Sequence, residues 1–133
     1  MARWKNWSGR QQAAPEALHF LRSQADAAAL VNRARLDGKG IRVAGSGHSH
    51  SPLVLSSDWI IDVSGLAGIT DVDHEQKTAW IYAGTPMYSL GRALHDEGLA
   101  LHNQGDIDRQ TIAGACATGT HGTGRKLGNM SSA

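Results

Sequence analysis

Apolar and polar positions change their spacing several times along the chain, and each change marks an element. Across residues 16–22, Leu18 and Phe20 alternate with polar neighbours and predict a short strand. Ser23-Gln24-Ala25-Asp26 then carries a helix-start signal: a hydroxyl able to accept free N–H groups, followed by a carboxylate suited to the positive helix end. Ala27, Leu30, Val31 and Ala34 recur at helical spacing and predict an inward stripe covering a sheet, with Gly38 offering a left-handed stop. Ile41-Arg42-Val43-Ala44 returns to strand, so this stretch reads strand, helix, strand, with a right-handed crossover if the strands are parallel.

Residues 59–63 predict a third strand, and residues 69–73 and 78–83 predict an antiparallel pair joined by a polar turn over 74–77. Pro86 opens a helix at its first position, with Met87, Leu90 and Leu94 inward and Gly98 closing it. Thr111 caps one more short helix, reaching Thr118. No internal repeat, linker or low-complexity stretch divides the chain. The element order implies an α+β unit, a small βαβ layer followed by antiparallel strands and helices.

Composition narrows the partners more than the fold. A chain of 133 residues with 41% hydrophobic residues suits one compact domain or part of one. Its formal net charge is +1, and thirteen Lys and Arg are scattered among twelve Asp and Glu, so the basic face that nucleic acid requires is not expected. Residues 1–12 carry Trp4 and Trp7 but no continuous apolar core, which predicts neither a secretory signal nor a membrane span and favours the cytoplasm. The single cysteine, Cys116, cannot form an internal disulfide. Its apolar surroundings predict a small buried hydrophobe rather than a reactive thiol.

The candidate chemistry lies in two glycine-rich stretches. Gly45-Ser46-Gly47-His48-Ser49 follows an apolar strand, and Thr118-Gly119-Thr120-His121-Gly122 follows an apolar helix. Glycine lets a backbone approach a ligand closely, and successive N–H groups in such turns form a concave anion site, so both read as loops for a phosphorylated cofactor. A nicotinamide fingerprint is excluded because the third glycine is missing and Pro52 blocks the immediate long helix. His48, His50 and His121 could be imagined as metal ligands. His48 and His50 would face opposite sides of an extended loop, however, and no carboxylate or cysteine lies at zinc spacing, so no metal is expected. His19, His74, His95 and His102 have no motif around them and read as packing or solvated residues.

Taken in order, Gly45-Ser46-Gly47-His48-Ser49, the segment 105–114 and the segment 117–124 resemble the FAD-linked sugar oxidases. These are the aldonolactone and alditol oxidases of the vanillyl-alcohol oxidase and p-cresol methylhydroxylase class, and the similarity runs from about Asn6 to Gly124. The resemblance implies that FAD is the cofactor and that His48 carries it covalently through the 8α-methyl carbon, neutral imidazole being a competent nucleophile. It implies that Gly45, Ser46, Gly47 and Ser49 cradle the pyrophosphate. Asp106, Thr111, Gly114, Thr118, Gly119, Thr120, His121 and Gly122 would line the flavin and its phosphates, with the helix beginning near Thr111 adding its positive end. Gly105 matches a position near the flavin's oxygen-reactive carbon.

The resemblance further implies that the chain is the amino-terminal part, residues 1–133, of an FAD-binding domain, without a substrate domain and without catalytic residues of its own. The parent would oxidise a sugar-derived CH–OH group with oxygen, giving hydrogen peroxide. Residues 105–111 are most similar to the D-arabinono-1,4-lactone oxidases, so a sugar lactone is expected over a polyol. The sequence ends on Asn129-Met130-Ser131-Ser132-Ala133 with no strand expected there.

Overall fold

The computed structural model describes residues 2–132, which form two compact units, the first ending at Leu66 and the second beginning at Ala67. The first unit opens with an antiparallel pair that the sequence pattern does not reveal: β1 (Trp4–Lys5) and β2 (Gln12–Ala13), with Trp4 opposite Ala13 and Lys5 opposite Gln12. Strands of two residues are too short to show alternation. A three-stranded parallel sheet follows, made of β3 (Ala17–Phe20), β4 (Ile41–Ala44) and β5 (Trp59–Asp62). Its order is β3-β5-β4, so the strand-helix-strand unit leaves a gap that β5 fills, pairing parallel with both neighbours. Trp59, Ile60 and Ile61 are all buried, as a central parallel strand covered on both faces requires.

Helix α1 (Gln24–Leu36) links β3 to β4. Ser23 Oγ accepts from the Asp26 N–H at 3.0 Å, and the Asp26 carboxylate accepts from the Arg22 N–H at 3.1 Å, so hydroxyl and carboxylate each satisfy a donor at the helix start. Arg33 and Arg35 sit in the last turn, where positive charge suits the negative helix end. The expected inward stripe is narrower than its spacing suggested. Ala34 is buried and Ala27 and Leu30 are half-buried, but Val31 is 54% exposed. The buried line steps through Ala27, Leu30 and Ala34, and Val31 falls on its solvent flank.

The second unit begins with the expected hairpin, β6 (Ile69–Asp73) and β7 (Thr78–Ile81), turned through residues 74–77 with Lys77 at φ 55°. Helix α2 (Met87–Asp96) buries Met87, Leu90 and Leu94 as expected, while Pro86 stands just outside as its N-cap, with ψ 138° still extended. Helix α3 (Ile112–Ala117) is capped by Thr111. The core of this unit is Met87, Leu90, Leu94, Ala115 and Met130, with Ile69, Ile81 and Leu101 packed against it. Met130 comes from a single 3₁₀ turn, Met130–Ser132, in the tail where no element was expected. Its N–H donates to the Thr120 carbonyl at 2.8 Å, fastening that tail beside the second glycine stretch. No helix among the described residues is long and apolar enough to cross a membrane.

Candidate functional site

The first glycine loop leaves the carboxyl end of β4 and lies directly against the amino-terminal hairpin. The Trp7 N–H donates to the Gly47 carbonyl at 3.1 Å, Asn6 Nδ2 to the Ser49 carbonyl at 3.1 Å, and Gln11 Nε2 to the His50 carbonyl at 3.0 Å. Asn6 is itself fixed: it is 2% exposed, and its Oδ1 accepts from the Gln11 N–H at 3.0 Å and the Ser8 hydroxyl at 3.2 Å. Gly47 has φ 65°, and a Cβ there would sit 3.2 Å from Trp4 Cζ2 and 3.3 Å from Asn6 Cα. This position needs glycine twice, for its left-handed backbone and for the closeness of β1.

Each of these tethers consumes a loop carbonyl or a side chain. Among the described residues, the backbone N–H groups of Gly45, Ser46, Gly47, His48 and Ser49 have no hydrogen-bond partner. Five successive unengaged donors supply what an anionic group needs. The His48 ring stacks on Trp7, with centroids 5.0 Å apart and planes at 11°, and His50 meets the same indole at 5.5 Å and 74°. No group of three or more His, Cys, Asp or Glu among the described residues could hold a metal ion.

The second loop is held in the opposite manner. The chain entering α3 runs beside the chain entering α2: Met87 N–H donates to Gln110 O at 2.9 Å, Ile112 N–H to Thr85 O at 2.9 Å and Ala113 N–H to Ala83 O at 3.2 Å. Thr111 is buried and its Oγ1 accepts from the Gly114 N–H at 3.3 Å. The first three N–H groups of this six-residue helix are therefore all engaged, which removes the donors that the expected phosphate contact at its end would use. Past α3, the amides of Thr118, Gly119 and Thr120 return to the carbonyls of Gly114, Cys116 and Ala115 at 3.2, 3.2 and 3.0 Å.

Four of the expected residues, Gly105, Asp106, His121 and Gly122, line one open cleft of about 530 Å³ together with Asn103 and Gln104. Thr120 stands behind it: its Oγ1 accepts from Gln110 Nε2 at 2.9 Å, and its methyl would lie 2.6 Å from a Cβ added at Gly105. A Cβ at Gly122 would meet Gln104 O at 2.7 Å and Asn103 Oδ1 at 2.8 Å, so the two walls touch through glycine. His121 Nδ1 lies 2.8 Å from the Gly122 carbonyl, an acceptor, so Nδ1 is the donor in this contact. Asp106 is exposed and pairs with no cation among the described residues.

Three further chemistry-bearing groups, Cys116, His19 and His74, make local packing or pairing contacts. Cys116 packs against the core of the second unit, and burial pushes its thiol pKa up, away from thiolate reactivity. His19 packs 4.7 Å from the Trp59 ring, and His74 Nε2 faces Glu97 at 3.6 Å.

The fold is part of an FAD-binding domain of the p-cresol methylhydroxylase type. The chain belongs to the FAD binding domain family, whose model matches residues 15–133. It is 39% identical over 96% of its length to an L-gulono-1,4-lactone dehydrogenase of Mycobacterium tuberculosis. It is 35% identical over 97% of its length to a D-arabinono-1,4-lactone oxidase of Eremothecium gossypii. It spans 30% and 25% of the lengths of those two proteins. Among solved structures, a BBE-like 1 variant of Physcomitrella patens superposes with a TM-score of 0.78 at 28% identity, covering 96% of this chain and 28% of that one.

Asn6, Trp7 and Asn103 were not singled out from sequence. Their partners lie far along the chain (Asn6 bonds a residue 43 positions away), and no periodicity connects such pairs.

Proposed function

We propose that this chain is the amino-terminal FAD-binding portion of an oxidoreductase that oxidises a sugar-derived CH–OH group, an aldonolactone in preference to a polyol. The observation that carries the reading is the first loop. Five consecutive backbone donors have no partner among the described residues, while the carbonyls of Gly47, Ser49 and His50 are tied to the hairpin, so the loop is held in place with its donors left for a ligand. That arrangement suits a pyrophosphate and fits FAD. Gly45, Ser46, Gly47 and Ser49 would hold the phosphates, and His48 would carry the flavin. By the same resemblance Gly105, Asp106, Thr111, Gly114, Thr118, Gly119, Thr120, His121 and Gly122 would contribute to binding FAD.

When bound, FAD supplies the two-electron chemistry, and the chain supplies binding and orientation. In such an attachment an imidazole nitrogen of His48 would bond the flavin 8α carbon, with dioxygen as the two-electron acceptor. The names of the relatives support a lactone substrate, and they support either acceptor: the Eremothecium protein is named an oxidase, the Mycobacterium protein a dehydrogenase. The oxidase reading is preferred because Gly105, at the position that the resemblance puts near the flavin's oxygen-reactive carbon, lines the cleft without a side chain.

An ultraviolet-visible spectrum before and after acid precipitation tests the cofactor reading. The parent chain loaded with FAD is expected to keep yellow colour in the acid pellet, and His48→Ala to release it to the supernatant. Flavin that stays in the mutant's pellet would sink the His48 assignment.

A further inference from the structure

The contacts around His48 define a clamp. Its two chain neighbours are each tied to the hairpin, Gly47 through its carbonyl to the Trp7 N–H and Ser49 through its carbonyl to Asn6 Nδ2, both at 3.1 Å. Between those two ties, the imidazole lies nearly parallel to the Trp7 indole. Trp7 is 57% exposed, so its ring is not there to fill a core. Asn6, beside it, is buried with both ends of its amide engaged, and this fixes where residue 7 points.

We infer that Trp7 is a positioning residue for His48: its indole holds the imidazole plane at the orientation from which a ring nitrogen reaches the flavin, and Asn6 sets the indole in place. This rests on the reading of His48 as the attachment residue. Physically, an imidazole at the tip of a loop would otherwise sample several rotamers, and only those aimed at the acceptor carbon are productive. A flat stack against an aromatic face restricts the ring while leaving its nitrogen-bearing edges accessible. Aromatic stacks of this size change populations by about two- to tenfold, and the attachment rate should follow.

The test uses the full 133-residue chain as the parent, with Trp7→Phe, Trp7→Leu, Trp7→Ala and His48→Ala. Without flavin, the His48 ring-proton resonances are expected upfield in the parent and in Trp7→Phe, and at unstacked positions in Trp7→Leu and Trp7→Ala. With FAD added, acid-stable flavin is expected to form about two- to tenfold more slowly in Trp7→Leu and Trp7→Ala, and near the parent rate in Trp7→Phe. Leucine supplies apolar bulk without a ring, so it separates stacking from packing, and it remains available if the alanine variant is poorly folded. Linkage by Trp7→Leu at the parent rate, or unchanged His48 resonances in that variant, would overturn the clamp. Acid-stable flavin in His48→Ala, or none in the parent, would instead overturn the attachment reading, and the clamp with it.

Discussion

The two glycine loops look alike in sequence and are held in opposite ways. In the first, carbonyls and the buried Asn6 side chain make the tethers, and the N–H groups of residues 45–49 have no partner among the described residues. In the second, the N–H groups of Thr118, Gly119 and Thr120 return to carbonyls of α3 and that of Gly122 goes to Asn103 Oδ1, leaving His121 N–H without a partner among the described residues. A loop that keeps its donors can bind an anion through its backbone. One that spends most of them presents mainly side chains and shape. Glycine serves both, but in the first loop it lets the chain lie against a neighbouring hairpin in a left-handed turn, and in the second it lets two walls of a cleft touch.

The sharpest way to break this contrast compares Gly47 with Gly119, which have nearly the same left-handed φ, 65° and 66°. At Gly119 a Cβ would find only Asn129 Nδ2, at 3.8 Å, so Gly119→Ala should cost the left-handed strain alone, about 1–2 kcal/mol. At Gly47 the same methyl also presses on Trp4 and Asn6, adding an overpacking cost of about 1–3 kcal/mol. Gly47→Ala is therefore expected to show the larger fall in urea unfolding midpoint and to weaken FAD binding. Equal destabilisation of the two variants would mean that the hairpin does not hold the first loop.

Next in size is Gly122→Ala. The obstacle is a backbone carbonyl, Gln104 O at 2.7 Å, which cannot rotate aside, so a loss of about 1–3 kcal/mol is expected in thermal unfolding. An unchanged melting temperature would show that the cleft walls are free to part.

Most of the scaffold was legible in the sequence, because it is written in periods. The spacing of Met87, Leu90 and Leu94 marked the face of α2 that is buried, and Ser23 and Thr111 marked two caps that form as hydrogen bonds. What escaped has no period. The β1–β2 hairpin has only four paired residues, too few to show alternation, and the stack of Trp7 on His48 joins positions that only the fold brings together. The helix end at α3 misled for a related reason. A cap and a following helix announce free donors, but the carbonyls of Thr85 and Ala83, which take them, come from another segment.

Gly105→Ala carries a smaller expected effect, since the colliding atom is the methyl of Thr120, the end of a side chain. A loss of about 1 kcal/mol is expected, recovered in the double variant Gly105→Ala, Thr120→Ser, which removes that methyl while keeping the hydroxyl that Gln110 engages. In the intact parent, Gly105→Ala is expected to slow reoxidation by oxygen in stopped flow while leaving reduction by substrate nearly unchanged. Equal oxygen rates would leave Gly105 a packing residue only.

The smallest effect separates the loops by pH. The second loop hangs from α3 through the Cys116 carbonyl, which accepts from Gly119 N–H, and burial raises the Cys116 thiol above its ordinary value of 9.0. A group whose folded pKa is raised binds its proton more tightly when folded. Its contribution to stability is therefore complete below the ordinary thiol pKa and is lost as pH rises through that value and past the folded one. The first unit, which ends at Leu66, contains no thiol. Unfolding of the second unit, followed by hydrogen exchange at Thr118–Thr120 amides, should therefore become easier above about pH 8.5, and Cys116→Ala should remove that part of the pH dependence. Should the amides respond to alkaline pH identically with and without the thiol, the half-buried Cys116 plays no part in holding the second loop.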